Sequence, residues 1–326
     1  MPKAIRIHQH GGPEVLKWEE MDPGKPGPGE ALVRQEAVGL NYIDVYHRTG
    51  LYPLPSLPAT PGLEGAGVVV EIGEGVTEVA VGDRVAYAGV PVGAYAEIRR
   101  IPAHRLVRLP PGIPALQAAA MMLQGMTARY LLKGCWPVGP GTTLLIHAAA
   151  GGVGLIVCQW AKHLGATVLG TVGTPEKAEV ARAHGCDHPI VYTKEKFAER
   201  VKEITGGRGV DVVYDSVGQA TFFSSLDCLR PMGMMVSFGQ SSGPVPPIDI
   251  ALLAQKGSLF LTRPSLMTYT ARREDLLAHA EDLFAVVQGG AVRITIGRTY
   301  PLAEASRAHR DLEGRKTTGS SVLKVG

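Results

Sequence analysis

The chain opens with short runs in which apolar and polar residues alternate: Met1–Arg6, Ala31–Val38, Gly67–Ile72 and Arg84–Tyr87. A period of two puts successive side chains on opposite faces, so each run predicts a strand with one buried face. Gly73-Glu74-Gly75 and Val81-Gly82-Asp83 supply turns between them. This region predicts a compact, mostly antiparallel β unit, partly closed on itself.

From Ile113 the pattern changes. Ala115–Leu132 is rich in Ala, Leu and Met and predicts one helix. Apolar runs then predict six strands: Thr142–His147, Thr167–Thr171, Pro189–Tyr192, Val210–Tyr214, Gly233–Phe238 and Ser258–Leu261. Helical stretches separate them, at Gly152–Leu164, from Pro175 to Gly185, at Lys194–Thr205 and at Thr221–Leu229. Pro175 suits a first helical position, where its missing N–H costs little, and glycine suits a helix end. Alternating strands and helices predict an α/β fold, a doubly wound parallel sheet with right-handed crossovers. Beyond Ser265 we expect a long helix, a strand near Val292–Thr295, a short helix near Ala303–Glu313 and a last strand at Ser320–Val325. That strand is expected to return to the first β unit. The expected division is 1–123 with 265–326, and 124–264.

Composition narrows the class. The 326 residues carry a net charge of only +3, with basic residues scattered, so charge gives no argument for nucleic acid. No long apolar run predicts a membrane span. Cys135, Cys158, Cys186 and Cys228 form no CxxC pair, which argues against a disulfide framework or a cysteine-based zinc site. A cytoplasmic protein is expected.

The sharpest local signal is Thr142–Gly154: a buried strand, then Ala148-Ala149-Ala150-Gly151-Gly152-Val153-Gly154, then a helix. Gly151 and Gly152, with Val153, would let backbone amides approach a pyrophosphate at a helix N-terminus, and Gly154 would let helix and strand pack closely. Ala149 stands where the usual fingerprint has its first glycine. The second strand ends at Gly173-Thr174 with no carboxylate for a ribose 2′-hydroxyl, and Lys177 follows. A cation beside a 2′-phosphate is favourable, so the cofactor read from these residues is NADPH.

These residues, with Gln159-Trp160-Ala161-Lys162, resemble the zinc-independent quinone oxidoreductases, the ζ-crystallin-like group of the medium-chain dehydrogenase/reductase superfamily. Val38–Tyr46, Gly50–Pro53, Pro61–Gly67 and Gly314–Ser321 extend the resemblance along the whole chain. It implies a six-stranded Rossmann sheet plus a GroES-like, partly closed barrel domain, with a cleft between them. The zinc-dependent relatives carry a ligand cysteine where this chain has Asn41 and a ligand histidine where it has Leu63, and they have a four-cysteine lobe after the position of Ala88. Leucine cannot ligate and an amide is a poor zinc ligand, so no metal is expected, although Glu64 remains.

The resemblance further implies roles. Asn41, Asp44 and Thr127 fall near the nicotinamide and its ribose. Gly151, Gly152 and Val153 hold the pyrophosphate. Gly173, Thr174, Lys177, Tyr192 and Arg315 surround the adenosine and its phosphate. Ser216, Val217, Phe238, Gly239, Gln240 and Arg263 flank the cofactor at strand ends. Tyr46 and Tyr52 are expected to face the substrate, as aromatic walls or hydrogen-bond donors. From the residues alone, His147 reads as a structural histidine, and His47 beside Tyr46 reads more simply as packing than as a substrate contact. The expected activity is NADPH-dependent quinone reduction. Two alternatives stay open: an enone or alkenal reductase, and an NADPH-gated structural or RNA-binding protein. A homodimer through the edge strand Ser258–Thr262 is expected.

Overall fold

The computed structural model describes residues 1–326. In chain order it begins with β1 (Lys3–Arg6), β2 (Lys17–Glu20), β3 (Glu30–Leu40), α1 (Tyr42–Thr49), β4 (Glu64–Ile72), β5 (Arg84–Ala88), β6 (Ile98–Pro102) and β7 (Val107–Arg108). Next come α2 (Ala115–Ala118) and α3 (Met122–Arg129), then β8 (Thr143–Ile146), α4 (Gly152–His163), β9 (Thr167–Val172), α5 (Pro175–Ala183) and β10 (His188–Val191). There follow α6 (Phe197–Ile204), β11 (Val210–Asp215), α7 (Phe222–Leu226), β12 (Leu229–Ser237), α8 (Ala251–Gln255) and β13 (Phe260–Thr262). The chain ends with α9 (Leu266–Tyr269), α10 (Arg273–Gln288), β14 (Ile296–Pro301), α11 (Ala305–Glu313) and β15 (Ser320–Lys324).

Two compact units result. One comprises Met1–Met126, Tyr269–Phe284 and Ile294–Gly326; the other comprises Thr127–Thr268 and Ala285–Arg293. In the first, a seven-stranded sheet runs β14-β15-β3-β4-β5-β7, with β6 also on β3. Strand β3 bends at register shifts, so one part pairs with β6 and another with β15. Val33, Val38, Val69, Val85, Ile101 and Leu323 from its strands share one core with Ile5 of β1, which pairs with β2 in a separate two-stranded sheet. The closing strand β15 pairs antiparallel with β3 through Ser321 to Lys324.

In the second unit six parallel strands run β10-β9-β8-β11-β12-β13. The order reverses between β8 and β9 on one side and β11 on the other, the switch point at which open α/β sheets bind ligands. Strands β8 and β11 are buried almost throughout, which explains their near-continuous apolar sequences. No helix is long and apolar enough to cross a membrane.

Three sequence expectations are corrected. The single helix expected over Ala115–Leu132 is broken: α2 ends at Ala118, α3 begins at Met122, and Tyr130–Cys135 continues as a π-helix. The break has a tertiary cause, because the Glu64 carboxylate accepts the Leu123 amide at 2.8 Å and so caps a new helix start. The strand expected near Val292–Thr295 lies at Ile296–Pro301, where Gly289-Gly290 ends the long helix and β14 takes its register from Ser320–Lys324. The helix expected over Thr221–Leu229 stops at Leu226, since Leu229 already belongs to β12, opposite Val210.

Candidate cofactor and substrate site

The turn between β8 and α4 is built as its residues suggest. Ala148 adopts a left-handed φ of 54°, and the Gly151 amide closes the turn on the Ala148 carbonyl at 2.9 Å. Helix α4 then starts at Gly152 with Gly151 as N-cap and no side chain capping it. Its first amides therefore have backbone polarity to offer an anion, and Gly151, Gly152 and Val153 are each partly exposed. A Cβ on Gly154 would collide with the Ala148 carbonyl and lie 2.7 Å from Ala149 Cα, so only glycine lets the helix sit this close.

The other strand ends converge on the same edge of the sheet. Gly173 and Thr174 follow β9, and Thr174 Oγ1 accepts the Lys177 amide at 3.3 Å as the N-cap of α5. The Tyr192 hydroxyl lies 3.0 Å from where a Gly173 Cβ would stand. Lys177 is exposed. No acid stands at 173 or 174, but Glu176 does, on the first turn of α5, where Thr174 and the helix backbone hold its carboxyl below its ordinary value. Ser216 and Val217 follow β11, Phe238 to Gln240 follow β12, and Arg263 follows β13 and reaches back to the Ser237 carbonyl at 2.7 Å.

Asp215 was not among the expected site residues, yet it organises this edge. One of its oxygens accepts the amides of Val217 and Gly218 at 2.7 and 3.0 Å; the other accepts Thr221 Oγ1 at 2.7 Å. An acid closing an apolar strand was the available signal. His147 is fully satisfied, by Thr171 Oγ1 at 2.8 Å and Ser225 Oγ at 2.9 Å, and burial pushes its pKa down, consistent with a structural role. Thr127 is buried within α3.

The first unit holds Asn41, Asp44, Tyr46, Tyr52 and Arg315. Asn41 caps α1, with Asp44 Oδ2 accepting its amide at 2.9 Å. Tyr42, Tyr46 and Tyr52 form an aromatic ladder, with ring centroids 5.5 and 5.0 Å apart, and the His47 ring lies 6.2 Å from Tyr52. Tyr46 is largely buried and Tyr52 half-buried. Arg315 follows α11 with a left-handed φ of 56°.

Two strings of donors run through this unit, each ending on a buried carboxylate. Gln124 Nε2 donates to Asn41 Oδ1 at 3.1 Å, and Asn41 Nδ2 donates to Glu64 Oε2 at 2.7 Å. Arg48 Nη1 donates to His309 Nδ1 at 3.1 Å; His309 Nε2 faces the Tyr95 hydroxyl at 3.1 Å; Tyr95 donates to Asp44 Oδ2 at 2.9 Å. Burial outweighs these donors, raising the Asp44 carboxyl to about 7 and the Glu64 carboxyl to about 8. Gly39 leaves room for Glu64, because a Cβ there would collide with its carboxylate. Sequence reasoning missed Gln124, Tyr95, Arg48 and His309, which meet only through the fold.

A zinc ion does not fit these residues. Leu63 is fully buried and cannot ligate, both Glu64 oxygens already accept protein donors, and no three acidic, cysteine or histidine side chains are grouped to hold a metal. A dinucleotide does fit the second unit, on the uncapped start of α4 and the close approach at Gly154.

Comparison with known proteins gives the family. Residues 27–111 match the alcohol dehydrogenase GroES-like domain, and residues 152–282 match the domain described as zinc-binding dehydrogenase. A quinone oxidoreductase of Pseudomonas aeruginosa is 52% identical, covering 99% of both chains. A 2-haloacrylate reductase of a Burkholderia species is 48% identical, again over 99% of each. The Escherichia coli quinone oxidoreductase, whose crystal structure contains NADPH, superposes with a TM-score of 0.97 at 49% identity, over 99% of each chain. With that likeness along its length, the chain belongs to the quinone oxidoreductase family of the medium-chain dehydrogenase/reductase superfamily.

Proposed function

We propose that this protein reduces quinones with NADPH. The observation that carries the reading is the uncapped start of α4 after a buried strand, at the switch point of a six-stranded parallel sheet. The family places quinone reductases on this frame. NADPH, when bound, supplies the hydride. The amides of Gly151, Gly152 and Val153 hold the pyrophosphate, and Lys177 with Tyr192 accommodates the 2′-phosphate. Gly173, Thr174, Ser216, Val217, Phe238, Gly239, Gln240 and Arg263 line the strand ends around the cofactor. In the first unit, Asn41 and Asp44 serve the nicotinamide end, Tyr46 and Tyr52 the acceptor; Thr127 joins the former and Arg315 the adenosine phosphate.

A quinone is electrophilic without a Lewis acid, because accepting a hydride moves its ring toward aromaticity. The protein's task is then to orient donor and acceptor and to exclude water. The 2-haloacrylate reductase among the relatives favours a second reading, reduction of an activated alkene. Steady-state NADPH oxidation with benzoquinone and with a 2-haloacrylate separates the two. Quinone turnover at the higher kcat/KM supports the first; turnover of the acrylate alone replaces it.

We also propose a homodimer joined at β13. This strand has a partner, β12, on one side only, and Phe260 is 56% exposed, with Ile250 nearby in sequence 79% exposed. An apolar edge of unpaired backbone groups suits a second copy across a two-fold axis. A cytoplasmic setting fits four free cysteines, three of them buried.

A further inference from the structure

The glycine turn is held from inside the parallel sheet. Ser225 Oγ lies 2.8 Å from the Thr221 carbonyl and 3.3 Å from Asp215 Oδ2, and both of these only accept. The single Ser225 hydrogen therefore points toward them, and Ser225 receives the N–H of His147 Nε2 at 2.9 Å on a lone pair. Burial outweighs the nearby Asp215 charge, pushes the His147 pKa down and keeps the ring neutral. Its Nδ1 is then bare and accepts the Thr171 hydroxyl at 2.8 Å. Thr171 also grips the chain beyond Ala148, because its carbonyl accepts the Ala149 amide at 3.0 Å. One residue of β9 thus binds residue 147 through its side chain and residue 149 through its backbone. Ala148, between them, holds its left-handed φ of 54°. Thr171, His147, Ser225 and Asp215 are all buried, and all belong to the second unit.

A left-handed alanine is strained and persists only where its surroundings over-determine it. A buried imidazole is costly unless both nitrogens are satisfied, and an apolar side chain would fill the same space without that demand. The two costs fall on adjacent residues, and one string of hydrogen bonds offsets both. Its far end is fixed, since Asp215 also takes the Val217 and Gly218 amides on its other oxygen. We propose that Thr171 and His147, anchored by Ser225 on Asp215, are positioning residues that clamp Ala148 in its left-handed conformation and so aim the amides of Gly151, Gly152 and Val153 at the cofactor's pyrophosphate. This rests on the assignment of that turn to the pyrophosphate. None of the four side chains meets the ligand. They act through the backbone of 147–149, and onward through the Gly151 amide, which closes on the Ala148 carbonyl at 2.9 Å.

Two ligands and a double-mutant cycle test it. Thr171→Val exchanges the hydroxyl for a methyl and leaves the carbonyl in place. Dissociation constants for NADPH and for adenosine 2′-monophosphate, which has no pyrophosphate, are measured by calorimetric titration, with thermal midpoints alongside. Thr171→Val should weaken NADPH about fivefold or more and the monophosphate by less than about twofold. Thr171→Ser, which keeps the hydroxyl, should bind NADPH as the native protein does. In an Ala148→Gly background the left-handed conformation needs no clamp, so the NADPH loss from Thr171→Val should shrink to under about twofold. Equal losses for the two ligands, an undiminished loss in the Ala148→Gly background, or native NADPH affinity in folded Thr171→Val each overturn the proposal. A native protein that binds the monophosphate as tightly as NADPH is a different failure: the pyrophosphate then contributes nothing, and the assignment of the turn falls together with the inference. If Thr171→Val does not fold, Ser225→Ala, which removes the acceptor for His147 Nε2, is read in the same cycle and should give the same pattern.

Discussion

Asp44 and Glu64 are acids in a place built for apolar packing, and their burial has a consequence for stability. Both carboxyls titrate higher in the folded chain than in the unfolded one, near 7 and 8 respectively. The folded state thus holds more protons across that window. Their contribution is fully present below the ordinary carboxylate range and is lost as pH rises through the folded values. Unfolding free energy measured by urea should accordingly fall between pH 6.5 and pH 8, above the range in which the buried His147 and His309 take up protons on unfolding, by an amount on the order of 1–2 kcal/mol. A curve that is flat, or that rises, over this interval contradicts the account. Lys177 gives a second prediction at this scale. Lys177→Glu places a like charge beside a 2′-phosphate, so NADPH affinity should drop about tenfold or more while NADH changes little. Parallel titrations check this, and equal losses would remove Lys177 from the phosphate site. Sequence pattern showed Gly151 to Gly154 and the missing acid at 173–174, because both belong to one short segment. It could not show that Tyr95 and His309 meet, since 214 positions separate them.

At the level of elements, the β8–α4 junction depends on a side chain that is missing. Gly154→Ala adds a methyl against backbone atoms of Ala148 and Ala149, which cannot rotate away. The helix must shift, with an expected loss of about 1–3 kcal/mol in stability. NADPH binding should weaken with it, as the amides at the helix start move. Native affinity in a folded Gly154→Ala protein would falsify the role given to this turn. The strands of the parallel sheet were legible because each is an apolar run flanked by turn residues. The helix break at Ala119–Met121 was not, because local propensity favours continuation. It is a carboxylate from β4, remote in sequence, that starts α3 anew. Strand β14 was misplaced for a related reason: its register comes from pairing with β15, not from its own alternation.

For the whole molecule, the proposed dimer makes the simplest prediction. Light scattering after size exclusion should give twice the chain mass, and Phe260→Lys should shift it toward the monomer by placing a charge on the exposed edge strand. A native protein that elutes as a monomer at micromolar concentration discards the proposed contact. The two-unit architecture was legible from the change of period near Ile113, and the family from motifs spread along the chain. Which acceptor is reduced depends on the shape of the site, proposed here to be walled by Tyr46 and Tyr52, and shape is not a pattern in sequence. The most direct test of the account is a single turnover of chelator-treated protein with equimolar NADPH and benzoquinone. The account predicts that one NADPH is consumed per quinone, faster than in free solution and at a rate untouched by chelator. No acceleration, or an activity lost to chelator and restored by zinc, would contradict it.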